Sequence, residues 1–237
     1  MKHLTLLFLL LSLNINAQTL ETFFNDTNKF ISEYVIDEKV DYERIRENQT
    51  SLDHVINMSN ELNLSNITDN QYKALWVNLY NLCVIKGVIN NIKINSPLDV
   101  SGFFDKVVYR VGGKEVTLNY IENQLLRKKF DDARLHFVLV CGAIGCPELI
   151  DTAYTPEMIN QQLETQTIRA INNPEFIKIN RKKKRIVISE IFKWYKEDFT
   201  LNGTEIDFIN LYLNEPIPSN FKLGYYSYNW KLNKKSN

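Results

Sequence analysis

Apolar residues in this chain recur at two different periods. After Asp69, residues Leu75, Trp76, Leu79, Tyr80, Cys83, Val84 and Val88 follow helical spacing. Val77, Leu82, Ile85 and Ile89 fill most of the opposite side. The pattern therefore predicts a central helix over about 70–90, buried nearly all round and capped by Asp69 or Asn70. Further helices are predicted over 19–35, 51–64, 118–129, 155–172, 190–199 and 205–213. Thr155 caps the fourth, with Pro156 in its first turn, Ser189 caps the fifth, and Thr204 with Asp207 forms a capping box for the last.

Extended segments carry the other period. Lys39–Val40–Asp41–Tyr42 reads as a short extended piece. Residues 106–111 and 114–117 flank Gly112–Gly113, a hairpin signal, and 176–179 and 185–188 flank the basic run 180–185. Residues 135–141 read as a strand entering a glycine turn. The aromatic tail 223–232, with Tyr225, Tyr226, Tyr228 and Trp230, reads as a closing strand or clasp. Helices mixed with antiparallel hairpins give an α+β class: one domain of several helices packed on hairpins.

The N-terminus changes the expected address. Lys2, the apolar run Leu4–Leu13 and Ile15–Asn16–Ala17 together read as an export signal cleaved near Ala17. The single domain is then 18–237, in the periplasm or outside the cell. The leader's apolar run is too short to span a bilayer, and no segment of the mature chain is apolar enough to do so. Charge is balanced, with 28 Lys and Arg against 28 Asp and Glu. That leaves no electrostatic case for nucleic acid or anionic lipid, so the basic run is read as a solvated turn.

Chemistry concentrates in 135–147, which holds His136, Cys141 and Cys146. Imidazole beside a thiol lowers the thiol pKa and takes its proton, so a Cys146–His136 pair is a candidate nucleophile, oriented by Glu122 or an Asn. Strand alternation would put His136 and Cys141 on opposite faces. Cys146, just before Pro147 where a short helix could begin, is the better-placed thiol. Export favours oxidation, so a Cys141–Cys146 disulfide is the competing fate, with Cys83 left as a buried thiol. His136 and the two cysteines would also suffice as part of a zinc site, but Cys-x4-Cys is a loose signal; no cofactor and no metal ligand set is expected.

Other polar residues divide the same way. Asn78 and Asn81, three apart on the apolar helix, either orient a ligand or tie the helix to loop backbone. Tyr80 belongs to the same helix. Glu122 can serve as a base or pair with Arg127 or Arg134; Lys193 and Asp198, five apart, do not align as a helical pair, so Lys193 can reach a more distant partner, and both join Asn78, Asn81 and Tyr80 as candidate ligand-binding residues. His54 is read as incidental.

Several blocks together resemble the family known as domain of unknown function 547. They include Val40–Asp41–Tyr42, Trp76–Asn81, Ile121–Glu122, Arg134–Phe137, Cys141–Pro147, Ser189–Tyr195 with Asp198–Phe199, and Tyr228–Asn233, spread over nearly the whole mature chain in order. The resemblance implies a shared fold and no settled activity. The chain departs from the family's pattern at Asn123, where His is usual, and at Gly145, where Ser is usual. The reading is therefore an exported domain that binds a small molecule, peptide or glycan in a polar pocket near His136 and the Cys141–Cys146 loop. A thiol-dependent hydrolase or acyltransferase using Cys146 and His136 is the first alternative. A non-catalytic interaction module with the aromatic tail as its contact surface is the second.

Overall fold

The computed structural model describes residues 19–91 and 93–235. The export-signal reading concerns residues outside that range. Helix α1 (19–34) leads into a two-residue hairpin, β1 (Val35–Ile36) and β2 (Lys39–Val40). Short helices α2 (Tyr42–Glu47) and α3 (Thr50–Ser59) follow, then the long helix α4 (Asp69–Ile89). Hairpin β3–β4 (Tyr109–Val111, Lys114–Val116) turns at Gly112 and Gly113, both at positive φ, as the tight turn requires.

Helix α4 is the axis of the larger hydrophobic core. Its N-cap is Thr68, in a capping box with Gln71, one residue before the cap expected from sequence. Residues Lys73–Ile85 are buried without interruption, so the helix is enclosed as its apolar pattern predicts. With apolar residues on every side, burial rather than an amphipathic stripe fixes its position.

A continuous helical run, α5, follows the hairpin. Leu118–Tyr120 and Lys128–Phe130 are α-helical, and Ile121–Arg127 between them is π-helical. Such wide turns are uncommon and recur at functional sites. Here the wide turn carries Glu122, Asn123 and Arg127.

The expected strand over 135–141 is not formed. Ala133–Phe137 is a 3-10 turn, started by the Asp132 side chain accepting from the Arg134 N–H. Residues 138–140 then lie outside any strand, with Val138 at φ −126°, ψ −17°. Their backbone pairs instead with an amide: Asn81 Nδ2 donates to Val138 O, and Val140 N donates to Asn81 Oδ1, both at 2.9 Å. The apolar run Leu135–Val140 owes its composition to burial, a cause the strand pattern does not separate from pairing.

Helix α6 (Ile159–Asn172) starts later than Thr155 suggested. A second, smaller core lies under the sheet β5–β6–β7 (Ile177–Asn180, Arg185–Ser189, Lys222–Tyr226). The β5–β6 pair is the expected hairpin. β7 is the closing strand, but it joins β6 in parallel. The crossover between them holds α7 (Ile191–Trp194), α8 (Lys196–Phe199) and α9 (Glu205–Tyr212). Sequence suggested one helix over 190–199; the chain instead breaks at Tyr195 (φ −112°, ψ 34°). The whole is an α+β domain.

Candidate functional site

The C-terminal tail brings the two cores together. Ile144 N donates to Lys231 O, Gly145 N to Asn229 O, and Asn233 N to Gly142 O. These bonds lay the tail along the Cys141–Cys146 loop and swing Tyr228 and Trp230 over it. Gly145 permits the approach, since a Cβ there would sit 2.9 Å from Asn229 N and 3.0 Å from the Tyr228 ring. Glycine at this position is thus matched to close packing of the tail.

Beneath the tail is a cavity of about 250 Å³. His136, Glu122, Cys141 and Cys146 all line it, together with Tyr80 and Tyr195. Strand alternation had separated His136 from Cys141; without the strand, both face one space. Cys141 and Cys146 are disulfide-bonded, leaving Cys83 as the free, fully buried thiol. Burial pushes the Cys83 thiol far up, which fits an inert core residue. The backbone after Cys146 stays irregular until α6, so the expected helix start at Pro147 is absent and provides no dipole for a thiolate.

His136 is held on three sides. Its Nε2 lies 2.6 Å from Asp198 Oδ2. Its ring stacks on Tyr195 at 4.0 Å and tilts against Phe199 at 5.2 Å. The break in the helix at Tyr195 makes this stacking geometry. Arg127 grips Asp198 with two bonds, Nε to Oδ2 at 2.7 Å and Nη2 to Oδ1 at 2.8 Å. The Arg127 guanidinium also lies 4.8 Å over the Tyr195 ring, and Asn123 Oδ1 accepts from Arg127 Nη1. Asn123 therefore braces the arginine.

Burial alone would raise the Asp198 carboxyl. Hydrogen bonds from His136 and Arg127, and their charges, outweigh it and hold the group far below the ordinary carboxylate range. Asp198 is thus the partner of both His136 and Arg127. Neither Lys193, which is exposed, nor Glu122 takes that place. Arg134 instead pairs with Asp132 and Glu164.

Glu122 is 9 % exposed. Tyr80 Oη reaches its Oε2 at a long 3.5 Å, and the Tyr195 phenol stands close enough to feel its charge. Burial first, then the Glu122 charge, drives both phenols well above their ordinary pKa, so they remain donors. On the loop side, Tyr228 Oη lies 2.9 Å from Cys146 Sγ and 3.0 Å from Cys141 Sγ. Trp194 and Trp230 stack at 5.7 Å along the rim, and Trp194 is 45 % exposed.

Asn78 and Asn81 sit apart from this cavity. Asn78 Nδ2 donates to Ala74 O and Tyr154 O at 2.9 and 2.7 Å, and its Oδ1 accepts from Tyr154 N at 3.0 Å. Asn81 clasps residues 138 and 140 as described. Both amides tie α4 to loop backbone. His54 is exposed and pairs with Asp26 at 3.2 Å. Tyr225 and Tyr226 are half-buried and spend their hydroxyls on Glu205 and Phe176 O, so the tail packs inward.

A larger cavity of about 460 Å³ lies across the Cys141–Cys146 loop. Arg169 in its wall bridges Glu38 and Glu148. It includes neither His136 nor Glu122. The smaller cavity is therefore the one of the two that gathers His136, Glu122 and both loop cysteines. Among the described residues, no group of three or more His, Cys, Asp or Glu is arranged to hold a metal ion. No helix among them is long and apolar enough to cross a membrane.

Sequence reasoning missed Tyr195, Tyr228, Trp194 and Trp230 as wall residues. Their signal was present as aromatic residues at the 189–195 and 228–233 blocks, but the pairing of tail with cysteine loop was not. No curated protein and no solved structure matches the chain. Residues 64–169, spanning α4, α5, His136, both loop cysteines and much of α6, match the model of the family described as "Protein of unknown function, DUF547", and the chain resembles that family.

Proposed function

We propose that this domain binds a small organic ligand in the cavity between α5, the Cys141–Cys146 loop and the C-terminal tail. One observation carries the reading: a buried carboxyl group, an oriented imidazole and a set of aromatic rings converge on a single space of about 250 Å³. An apolar, aromatic wall with a few fixed polar groups is the usual make-up of a ligand site. His136 and Glu122 supply the polar anchors. The disulfide is structural, holding the loop against the tail, and export of the domain accords with its persistence.

The test is a thermal-shift screen of the intact protein against choline, chitobiose, a neutral tetrapeptide and a short-chain carboxylate. Occupancy at a hundred times Kd adds about 2.7 kcal/mol. For a chain of this size that raises Tm by roughly 5–10 °C. One chemical class is expected to do so. Trp194→Ala, at the exposed rim, is expected to keep the fold and lose that shift. No saturable shift from any class, or a shift untouched by Trp194→Ala, overturns the reading.

A second reading rests on the Asp198–His136 pair lining the same cavity as both sulfurs. In a reduced form, Cys146 with His136 and Asp198 would supply a nucleophile, a base and an orienting carboxylate for acyl transfer. Alkylation of unreduced protein followed by mass spectrometry separates the two. The structural-disulfide reading predicts unlabelled Cys141 and Cys146. Rapid labelling of Cys146 without reductant would favour the thiol enzyme.

A further inference from the structure

We infer that the cavity takes an ammonium group on a short apolar stem, an inference that rests on the ligand-site reading above. Glu122 is nine-tenths buried and lines the cavity. Among the described residues its one hydrogen-bond contact is the long one from the Tyr80 phenol, with the Tyr195 phenol nearby, and it forms no ion pair with Lys, Arg or His. Arg127, close enough to feel its charge, is committed through both prongs to Asp198. His136 is likewise turned to Asp198. A buried carboxylate with only neutral donors keeps lone pairs unspent and gains most from a cation.

The walls suit that cation. Tyr228 and Trp230 pack at 4.7 Å, Trp194 and Tyr228 at 5.0 Å, and Phe104 stands 6.1 Å from Trp230. All four rings line the cavity with Tyr80 and Tyr195. Clustered π faces beside one carboxylate are the surroundings in which alkylammonium groups bind well. A cavity of about 250 Å³ holds the head group and a short stem. Such a group could belong to a free small amine or to a lysine-type side chain whose peptide stays outside.

The test is calorimetric titration of the intact protein with three probes: choline, its uncharged isostere 3,3-dimethyl-1-butanol, and Nα-acetyl-trimethyllysine methylamide. An ammonium probe is expected to bind at least about ten-fold more tightly than the isostere. Glu122→Gln and Trp230→Leu are each expected to weaken it by about ten-fold or more, while Glu122→Gln keeps the wild-type Tm. Tighter binding of the lysine derivative than of choline identifies a peptide source, and the reverse order a free amine; either supports the shared chemistry. Equal affinity for the isostere, undiminished binding to Glu122→Gln, or no saturable binding of either ammonium probe overturns the inference. Equal affinity for charged and neutral probes leaves the ligand site standing. Binding that survives Trp194→Ala instead removes the ligand site itself.

Discussion

Helix α4 and helix α5 each bury polar side chains, and they use them in opposite ways. On α4, the Asn78 and Asn81 amides meet backbone groups of residues 74, 138, 140 and 154 at 2.7–3.0 Å, so Asn78 spends both its N–H groups and its oxygen within the fold, and Asn81 its oxygen and one N–H. On α5, Glu122 has one long contact to Tyr80, with the Tyr195 phenol nearby, and it faces an open cavity. A buried polar group bonded at short distance to the backbone holds the structure together. One with capacity left over toward a cavity is where a ligand can act. Burial alone does not tell the two apart; the partners do.

The largest expected effect breaks the α4 side of this contrast. Asn81→Leu fills the same volume but strands Val138 O and Val140 N in the core. Each orphaned group costs about 1–3 kcal/mol, so urea denaturation should show a loss of about 3 kcal/mol. A loss near zero would mean that these bonds do not organise the segment carrying His136.

Asp198→Asn comes next, at about 2 kcal/mol at neutral pH, because charge-assisted bonds to Arg127 and His136 are weakened. The deficit should depend on pH. Asp198 has a folded-state pKa held below the ordinary carboxylate value, so in the unfolded chain it takes up its proton first as pH falls. Its stabilisation is fully present above about pH 4 and is lost as pH falls toward the depressed folded value. Wild-type and Asp198→Asn stabilities should therefore converge in acid, and parallel curves down to low pH would contradict the assignment.

Replacing both Cys141 and Cys146 by Ser should cost about 2 kcal/mol or less, since the bond closes a loop of only a few residues. Glu122→Gln should be the mildest, within about 0.5 kcal/mol of wild type or slightly stabilising, because it removes a buried charge without a cation. A large loss of stability in Glu122→Gln would move that residue to the structural side of the comparison.

Much of the scaffold was legible in the sequence. The enclosed helix α4 follows from apolar residues on all sides, the two hairpins from Gly112–Gly113 and the polar turn 180–185, and α9 from Thr204 with Asp207. These are local signals, each fixed by a few neighbouring residues. His136, Glu122 and the two cysteines were also recognisable as the residues with chemistry to offer. What was not legible was how they meet. The run 135–141 has strand composition, yet its backbone is satisfied by a side chain 57 residues away in sequence. Likewise Asp198 reaches His136 across 62 residues, and Tyr228 reaches the disulfide across more than 80. Those pairings depend on the parallel crossover to β7 and on the helix break at Tyr195, which no local pattern announces.

The chain's three tryptophans offer the most direct test of the contrast between spent and unspent polar groups. Trp76 lies in the core on α4, near the two amides, and Trp194 and Trp230 line the cavity beside Glu122 and His136. Nitrogen–proton correlation spectra resolve their indole N–H signals one by one. On titration with the panel compound giving the largest thermal shift, the signals of Trp194 and Trp230 should move saturably while that of Trp76 stays fixed. Movement of Trp76 with Trp194 and Trp230 unchanged would place the ligand at α4 and contradict the account.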